Sequence, residues 1–216
     1  MTVGGILLAG GSGSRFGQPK QFLELAAGTR LIDAALDCLL EVANKTVLVL
    51  PEGHLWAGAA VHAVVAGGDT RLASVQAGLA ALPHCDVIVV HDAGHPLAAV
   101  DTARLAIAAV EAGADAAVPW LPVVDVLKRQ RPDGSLETAG RDGLGQAQTP
   151  HAFRANVLRA LHQGGATGTW EDTQLIEEQG GRVVAVPGDS GNIHVVTPED
   201  LTVVRRLYQS QQAAHD

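Results

Sequence analysis

The feature that most constrains the fold is an alternation of short apolar runs with helix-like segments along the first two-thirds of the chain. Each apolar run is five to seven residues long and is typical of a buried parallel strand. The runs cover residues 3–9, 46–50, 61–65, 86–90 and 114–119. The repeated alternation therefore indicates an α/β protein.

The segments between these runs carry apolar residues at helical spacing, around residues 31–41, 72–82 and 103–110. Strands that alternate with helices require right-handed crossovers, which place helices on both faces of a mostly parallel sheet. We therefore predict a doubly wound α/β sheet. Because the sequence contains no repeat, low-complexity tract or linker, we expect residues 1–216 to form a single domain.

The pattern changes after residue 119. Residues 123–127 are strand-like, residues 131–134 form a turn signal, and residues 135–138 can return as a second strand. This hairpin predicts a β-arm at about 122–144 that contacts a second subunit, with a surface excursion as the alternative. The remaining chain predicts helices at 154–162, 172–179 and 198–209, with a strand at 182–186.

Composition excludes several classes of protein. A hydrophobic content of 47% excludes a disordered chain, and a net charge of −8 argues against general nucleic-acid binding. No run approaches the roughly 18 apolar residues that a spanning helix needs, and the start lacks the basic residues of a secretory signal. The two cysteines are too few for a disulfide framework. We therefore expect a cytoplasmic enzyme or binding domain that does not associate with membranes.

A glycine-rich loop directly follows the first strand. Its four glycines, within residues 10–17, allow a sharp turn whose backbone N–H groups can face an anion. Arg15 and Lys20 add positive charge, which suits a polyphosphate. The spacing matches neither a Walker A loop nor a dinucleotide fingerprint. The carboxyl end of a strand is where α/β sheets bind ligands, so this loop predicts a phosphate site.

The sequence Ala9-Gly-Gly-x-Gly-x-Arg15 with Pro19-Lys20 resembles the loop of nucleotidyltransferases that make sugar and polyol nucleotides. Further motifs follow in order at residues 67–79, 89–96, 148–150 and 192–201. Together they resemble the 2-C-methyl-D-erythritol 4-phosphate cytidylyltransferase family of non-mevalonate isoprenoid biosynthesis. The resemblance implies a Rossmann-like nucleotidyltransferase sheet. It also implies that the alcohol phosphate attacks the α-phosphorus of CTP, giving 4-diphosphocytidyl-2-C-methyl-D-erythritol and pyrophosphate.

The resemblance also implies roles for individual residues. The catalytic residues would be Arg15, Lys20, Arg141 and His194. Arg141 would act in the partner's site of a homodimer, and Asp92 would bind one Mg²⁺. Contacts to CTP would come from Ala9, Gly10, Gly11, Ser12, Gly13, Asp69, Arg71, Ser74 and Ala93. Contacts to the alcohol phosphate would come from His95, Thr149, Trp170 and Asp172.

Several of these residues have a plain structural alternative. Asp69 could cap the following helix, Asp92 could be a turn acid, and Arg141 could be a solvated surface arginine. Thr149 could serve only to shape the chain, because the residue before a proline is restricted to extended conformations.

The chain departs from the family pattern on the side of the alcohol phosphate. His95 stands where the family has an arginine, His194 where it has a lysine, and Trp170 where it has a small hydroxyl residue. Histidine carries only part of a positive charge near neutral pH, and we predict that His194 acts as a cation. Two alternatives follow: a cytidylyltransferase for another polyol phosphate such as ribitol 5-phosphate, or a degraded paralogue that only binds nucleotide.

Overall fold

The computed structural model describes residues 1–11, 13, 16–163 and 171–213. Its strands are β1 Val3–Leu8, β2 Glu24–Ala26, β3 Thr29–Arg30, β4 Lys45–Leu50, β5 Ala63–Ala66, β6 Val87–Asp92, β7 Ala116–Pro122, β8 Leu127–Gln130, β9 Leu136–Ala139, β10 Gly145–Ala147, β11 His151–Arg154 and β12 Val183–Pro187. Its α-helices are α1 Leu31–Leu40, α2 Arg71–Ala81, α3 Val100–Glu111, α4 Ala155–Gln163, α5 Asp172–Glu178 and α6 Pro198–Ala213. In the described ranges, no helix is both long and apolar enough to cross a bilayer.

The central sheet confirms the predicted doubly wound, mostly parallel α/β topology. Strands β5, β4, β1 and β6 lie side by side and run parallel, and β12 runs parallel to β7 at the far edge. The exception is β11, which lies antiparallel between β6 and β7. The strand order reverses between β1 and β6, because the chain moves outward to β4 and β5 and then returns to the other side of β1.

Each of the five predicted apolar runs forms a strand, and the predicted helices are all present. The sequence prediction was incomplete for β11, because residues 151–154 form a strand where only the start of a helix was expected. The short strands β2, β3 and β10 were also not predicted. All four have four residues or fewer, too short for a periodic pattern to develop.

The core has two layers because side chains alternate along each strand. Leu7 points to the face covered by α1 and α3, where it packs in one cluster with Leu36 and Ile107. Its neighbour Ile6 points to the face covered by α2 and α4, in a cluster with Val75 and Leu158. Burying each of these aliphatic side chains contributes about 1.5–3 kcal/mol to stability. The two layers together fix the sheet, and hence the positions of the loops at its carboxyl edge.

A third apolar cluster fixes the loop after β1. Leu201 and Val204 of α6 pack with Leu25 of β2 and Leu31 of α1, and the cluster includes the fully buried Val195. Thr197 caps the start of α6, since its hydroxyl accepts the N–H of Asp200. The carboxyl-terminal part of the chain is thereby held beside the glycine-rich loop.

The predicted hairpin is present as β8 and β9, joined by a turn in which Gly134 N–H donates to Arg131 O. The first strand begins at Leu127 rather than at 123, because Val123 still bonds back to Leu144 beside the end of β7. We call residues 122–144 the arm. Large apolar side chains on the arm are exposed, including Val126 at 66% and Leu136 at 62%.

Candidate active site

A cleft of about 860 Å³ lies at the carboxyl ends of β1 and β6, where the strand order reverses. This is the position at which open α/β sheets bind ligands. Most of the site residues predicted from the sequence line it: Ala9, Gly10, Gly11, Gly13, Lys20, Asp69, Arg71, Ser74, Asp92, Ala93, His95, Thr149 and His194. A second cavity of about 610 Å³ lies beside β12, and none of the predicted residues that the structure describes lines it.

Two described residues of the predicted set, Arg141 and Asp172, do not line the cleft. Ser12, Arg15 and Trp170 lie outside the described residues. Arg141 is exposed on the arm, where its guanidinium donates to the carbonyl of Val124. Asp172 is fully buried behind the wall of the cleft.

The glycine-rich loop is shaped by a glutamine that sequence reasoning did not identify. Gln21 is buried, and its Nε2 donates to Ala9 O at 2.8 Å and to Gly11 O at 2.9 Å. Gly13 has a φ of 68°, and a Cβ at this position would overlap the carbonyl of Gln18. The turn therefore requires glycine here. Nothing in the sequence near Gln21 indicated that its side chain bonds back across the loop.

Lys20 and His194 converge over Gly94. The Lys20 ammonium donates to the carbonyl of Val195, which holds its side chain across the cleft. A Cβ added to Gly94 would lie 3.0 Å from the His194 ring and 3.3 Å from Lys20 Nζ. A side chain at 94 would push against the His194 ring and the Lys20 ammonium, so the glycine allows these two basic groups to approach closely.

The two histidines at positions where the resemblance implies basic residues stack on each other. The rings of His95 and His194 have centroids 4.5 Å apart and planes 21° apart. Burial lowers the pKa of His95, and the nearby charge of Lys20 acts in the same direction. His95 is therefore uncharged at neutral pH and cannot supply the fixed charge of an arginine. Its Nδ1 lies 3.3 Å from Asn192 Oδ1.

A hydrogen-bond network fixes Thr149 beside β6. The Thr149 hydroxyl accepts the Asp92 N–H at 3.2 Å and lies 2.8 Å from Nδ1 of the buried His91. Asn192 Nδ2 donates to Thr149 O at 2.9 Å, and Gln148 Nε2 donates to Asn192 O at 3.0 Å. Burial lowers the pKa of His91 to about 3, so its ring is neutral. Thr149 thus both lines the cleft and joins β6 to the segment around Asn192.

Arg71 connects the cleft to Asp172. Arg71 Nε lies 3.8 Å from Asp92 Oδ1, and Nη1 donates to Asp172. Burial alone would lower the pKa of Arg71, but the carboxylates of Asp92 and Asp172 outweigh it and raise the pKa. The guanidinium is therefore a permanent positive charge beside the carboxylate at the end of β6.

The sequence predicts that Asp172 contacts the alcohol phosphate, whereas the structure places its side chain away from the surface of the cleft. Its side chain is 0% exposed, and its two oxygens bond to Arg71 and to His162. A group without exposed surface cannot reach a ligand in the cleft. Burial would raise the pKa of Asp172, but the His162 hydrogen bond and the Arg71 charge lower it below its usual range. Asp172 therefore orients Arg71 as an ionised carboxylate.

The segment before α2 shows that Asp69 lines the cleft and is not the residue that caps the helix. Thr70 is the residue that caps α2, because its hydroxyl accepts the Ala73 N–H at 3.0 Å. Asp69 is thereby left to line the cleft. Ser74 supports this segment, since its hydroxyl accepts the Gly68 N–H at 3.2 Å.

Two further residues of the cleft wall were not predicted. His151 is buried at the start of β11, with Nδ1 3.6 Å from Glu171 Oε1, and both line the cleft. Burial lowers the pKa of His151 to about 4 and raises that of Glu171. No sequence motif indicated that His151 lies in the cleft. Its surroundings come from α2 and α5, which are distant along the chain.

Comparisons with known proteins agree with this geometry. Residues 3–209 match the family described as IspD, 2-C-methyl-D-erythritol 4-phosphate cytidylyltransferase. The chain belongs to this cytidylyltransferase family. The match covers the glycine-rich loop, the end of β6 and the segment before α6, which together form the cleft.

Individual relatives agree with the family assignment. The chain is 32% identical over 223 residues to 2-C-methyl-D-erythritol 4-phosphate cytidylyltransferase of Rhodococcus opacus, with 96% of this chain and 94% of the relative aligned. It is 39% identical to the bifunctional enzyme IspD/IspF of Granulibacter bethesdensis, with 95% of this chain and 56% of the relative aligned. The chain thus spans about half the length of its bifunctional relatives.

A solved structure of the family has the same fold. The crystal structure of 2-C-methyl-D-erythritol 4-phosphate cytidylyltransferase from Thermus thermophilus superposes with a TM-score of 0.83 at 28% identity. The superposition covers 97% of this chain and 100% of the other. The mostly parallel sheet described above is therefore the sheet of this cytidylyltransferase family.

The donor set of the cleft fits a magnesium ion that arrives with a nucleotide. Among the described residues, no group of three or more histidine, cysteine, aspartate or glutamate side chains could hold a metal ion by itself. Mg²⁺ commonly uses one or two carboxylates and takes its other ligands from water and substrate phosphates. Asp92 offers one carboxylate that lines the cleft with its side chain 29% exposed. This arrangement matches that chemistry.

Proposed function

We propose that the protein is a CTP-dependent cytidylyltransferase. It would join CTP to 2-C-methyl-D-erythritol 4-phosphate, giving 4-diphosphocytidyl-2-C-methyl-D-erythritol and pyrophosphate in isoprenoid biosynthesis. One observation supports the proposal above all. The glycine-rich loop, Lys20 and Asp92 line the same cleft, at the point where the strand order of the sheet reverses. The names of the relatives supply the substrates.

The reaction requires positioning and charge compensation rather than covalent help from the protein. A phosphate oxygen of the alcohol phosphate attacks the α-phosphorus of CTP, and the bond from that phosphorus to pyrophosphate breaks. In this proposal Lys20, with Arg15, compensates the negative charge that builds on the triphosphate. The contact from Lys20 to Val195 O supports the role, because it holds a long flexible side chain in one orientation before substrate arrives.

Asp92 would hold the magnesium ion, which would neutralise charge on the CTP phosphates when bound. Arg71 Nε lies 3.8 Å from Asp92 Oδ1 and would keep that carboxylate oriented. In the same proposal Asp69 and Ser74 lie on the nucleotide side of the cleft, at the start of α2.

The alcohol phosphate would lie near His95, His194 and Thr149. Because His95 is uncharged at neutral pH, it would contribute hydrogen bonding, and positive charge would come from Lys20 and from His194 as a cation. Trp170, predicted for this side, lies outside the described residues. These departures keep ribitol 5-phosphate open as the alternative substrate.

The direct test is pyrophosphate release from CTP and Mg²⁺ with each alcohol phosphate in turn. Release with 2-C-methyl-D-erythritol 4-phosphate, at a kcat/KM well above that with ribitol 5-phosphate, supports the proposal. Release with ribitol 5-phosphate alone favours the alternative substrate, and no release with any polyol phosphate favours a degraded paralogue. Replacing CTP with GTP, UTP or ATP tests the base, and omission of Mg²⁺ tests the metal.

We also propose a cytoplasmic homodimer in which Arg141 of each subunit enters the cleft of the other. Two observations support the dimer: Arg141 lies on the arm away from its own cleft, and apolar side chains beside it are exposed. Sedimentation measures the assembly, and cell fractionation measures the location.

A further inference from the structure

A buried histidine outside the cleft is connected to it through two charged residues. His162 lies in the last turn of α4, and its Nε2 is 2.8 Å from Asp172 Oδ1 at the start of α5. The His162 side chain is 6% exposed and that of Asp172 is 0% exposed. Because an ionised carboxylate only accepts hydrogen bonds, Nε2 is the donor in this contact.

The other oxygen of Asp172 holds Arg71, which lines the cleft. Arg71 is the first residue of α2, and its Nε faces Asp92 at 3.8 Å. Within the described part of the chain, its buried Nη2 has no hydrogen-bond partner. The orientation of the guanidinium therefore depends strongly on the bond to Asp172.

A carboxylate held at one oxygen can still rotate about its terminal torsion, which is broad and roughly two-fold. A donor on the second oxygen removes that freedom and fixes the first oxygen in place. His162 supplies this donor from a different helix. The contact of Gln76 Nε2 with His162 O at 3.5 Å adds a direct connection between α2 and α4.

We propose that His162 is a positioning residue of the cytidylyltransferase site: by donating to Asp172, it fixes the carboxylate that orients Arg71 toward Asp92. This inference rests on the proposed function, because Arg71 acts on the nucleotide side of that site. The competing interpretation is that His162 only fastens α4 to α5 and contributes to stability alone.

Two substitutions separate these interpretations. Glutamine has an amide N–H that can occupy the place of the His162 Nε2–H, whereas leucine fills similar space without a donor. We expect His162→Leu to lower kcat/KM about tenfold, because a lost hydrogen bond to a charged group is worth about that much. We expect His162→Gln to stay within about threefold of the wild type. If His162→Leu does not fold, His162→Asn replaces it, since its shorter amide cannot reach Asp172.

Leu161→Ala is the matched control. Leu161 precedes His162 in α4 and packs on the core without contributing to the cleft. Its truncation should lower the melting temperature, while kcat/KM stays within about twofold of the wild type. A purely stabilising His162 would behave like this control. Equal kcat/KM for the leucine and glutamine variants would therefore overturn the proposal.

A second readout does not depend on turnover. In the ¹⁵N spectrum of arginine-labelled protein, the Arg71 Nε–H signal is assigned by its loss in Arg71→Lys. We expect this signal to be preserved in His162→Gln and to shift or broaden in His162→Leu. An unchanged Arg71 signal in His162→Leu would overturn the proposal. If the wild type releases no pyrophosphate with any substrate, the proposed function fails, while this spectrum still tests the positioning of Arg71.

Discussion

The cleft and the arm both contain predicted catalytic residues, but the side chains are fixed by hydrogen bonds in the cleft and exposed on the arm. In the cleft, Lys20 is held by a contact to the far end of the chain, and Arg71 is held by a buried carboxylate. On the arm, Arg141 is exposed and its guanidinium donates to the carbonyl of Val124, and Val126 and Leu136 expose most of their apolar surface. Among the described residues, the groups that orient Lys20 and Arg71 all come from the same chain. The arm has the features of a surface that a second chain would cover.

The difference follows from burial. A charged group inside the cleft wall must be paired, because an unpaired buried charge is costly, so its partners fix its orientation. An exposed arginine on the arm, beyond the β8–β9 hairpin, has no such constraint, and an isolated hairpin is only marginally stable. We therefore expect substitutions in the cleft to act within their own subunit, and substitutions on the arm to act between two subunits.

The largest effect is expected inside the cleft. Lys20→Ala should lower kcat/KM by about 100-fold or more, because loss of one preorganised charge at a reacting phosphate costs that much. The control is Lys45→Ala, since Lys45 is exposed at the start of β4, the opposite edge of the sheet. Steady-state pyrophosphate release measures both. A Lys20→Ala enzyme within threefold of the wild type would remove Lys20 from the mechanism.

The next effect belongs to the arm. Arg141→Ala should lower kcat/KM about tenfold or more, while Arg129→Ala, an exposed arginine of β8, should change it less than about twofold. Mixing Arg141→Ala with Lys20→Ala then tests sharing between subunits. If Arg141 serves the partner's cleft, mixed dimers restore one intact site and about a quarter of wild-type activity. No recovery after subunit exchange would place Arg141 outside the partner's site.

A smaller effect concerns assembly. Leu136→Asp introduces a charge into the exposed apolar surface of the arm and should weaken the dimer about tenfold or more. Leu55→Asp is the control, because Leu55 is 95% exposed but lies outside the arm. Sedimentation velocity over a concentration series compares the two variants with the wild type. Equal dissociation constants for both variants would exclude the arm as the interface.

The smallest effect is a pH dependence of stability within the cleft wall. Burial lowers the pKa of His151 from 6.5 to about 4, so the unfolded chain takes up this proton first as the pH falls. The free energy of unfolding therefore has its full value with respect to His151 above pH 6.5, and it decreases as the pH falls toward 4. Glutamine does not titrate in this range. Between pH 6.5 and pH 4, the His151→Gln variant should therefore lose about 1 kcal/mol less unfolding free energy per pH unit than the wild type.

Urea unfolding between pH 7 and pH 4 measures this dependence. His84→Gln serves as the control, because His84 is exposed. The prediction is contradicted if the two variants lose stability with pH at the same rate.

Much of the fold could be predicted from the sequence because apolar strands and amphipathic helices are local patterns. The strands around Ile6 and Val89 are continuous apolar runs, and each was recognised without knowledge of its neighbours. Strand β11 was not recognised, because its four residues become a strand only by pairing with β6 and β7. Local periodicity cannot report such pairing.

The candidate site divides in the same way. The glycine-rich loop and Asp92 follow strands directly, so their meeting at one edge could be predicted. The supporting hydrogen bonds could not, because they join distant residues: Arg71 and Asp172 are 101 positions apart. The contacts of Asp172 with Arg71 and His162 could not be predicted, because they depend on how α2, α4 and α5 pack around the sheet.

The arm and the cleft are joined by a very short piece of chain. The arm leaves at the end of β7 and returns through β10, which pairs with residues 120–122 of β7, and only Gln148 separates β10 from Thr149. This pairing closes the base of the arm before the chain reaches the cleft. Insertions or deletions at the tip, around Gly134, would therefore leave the position of Thr149 unchanged. A different hairpin tip can accordingly be grafted onto this base without moving Thr149.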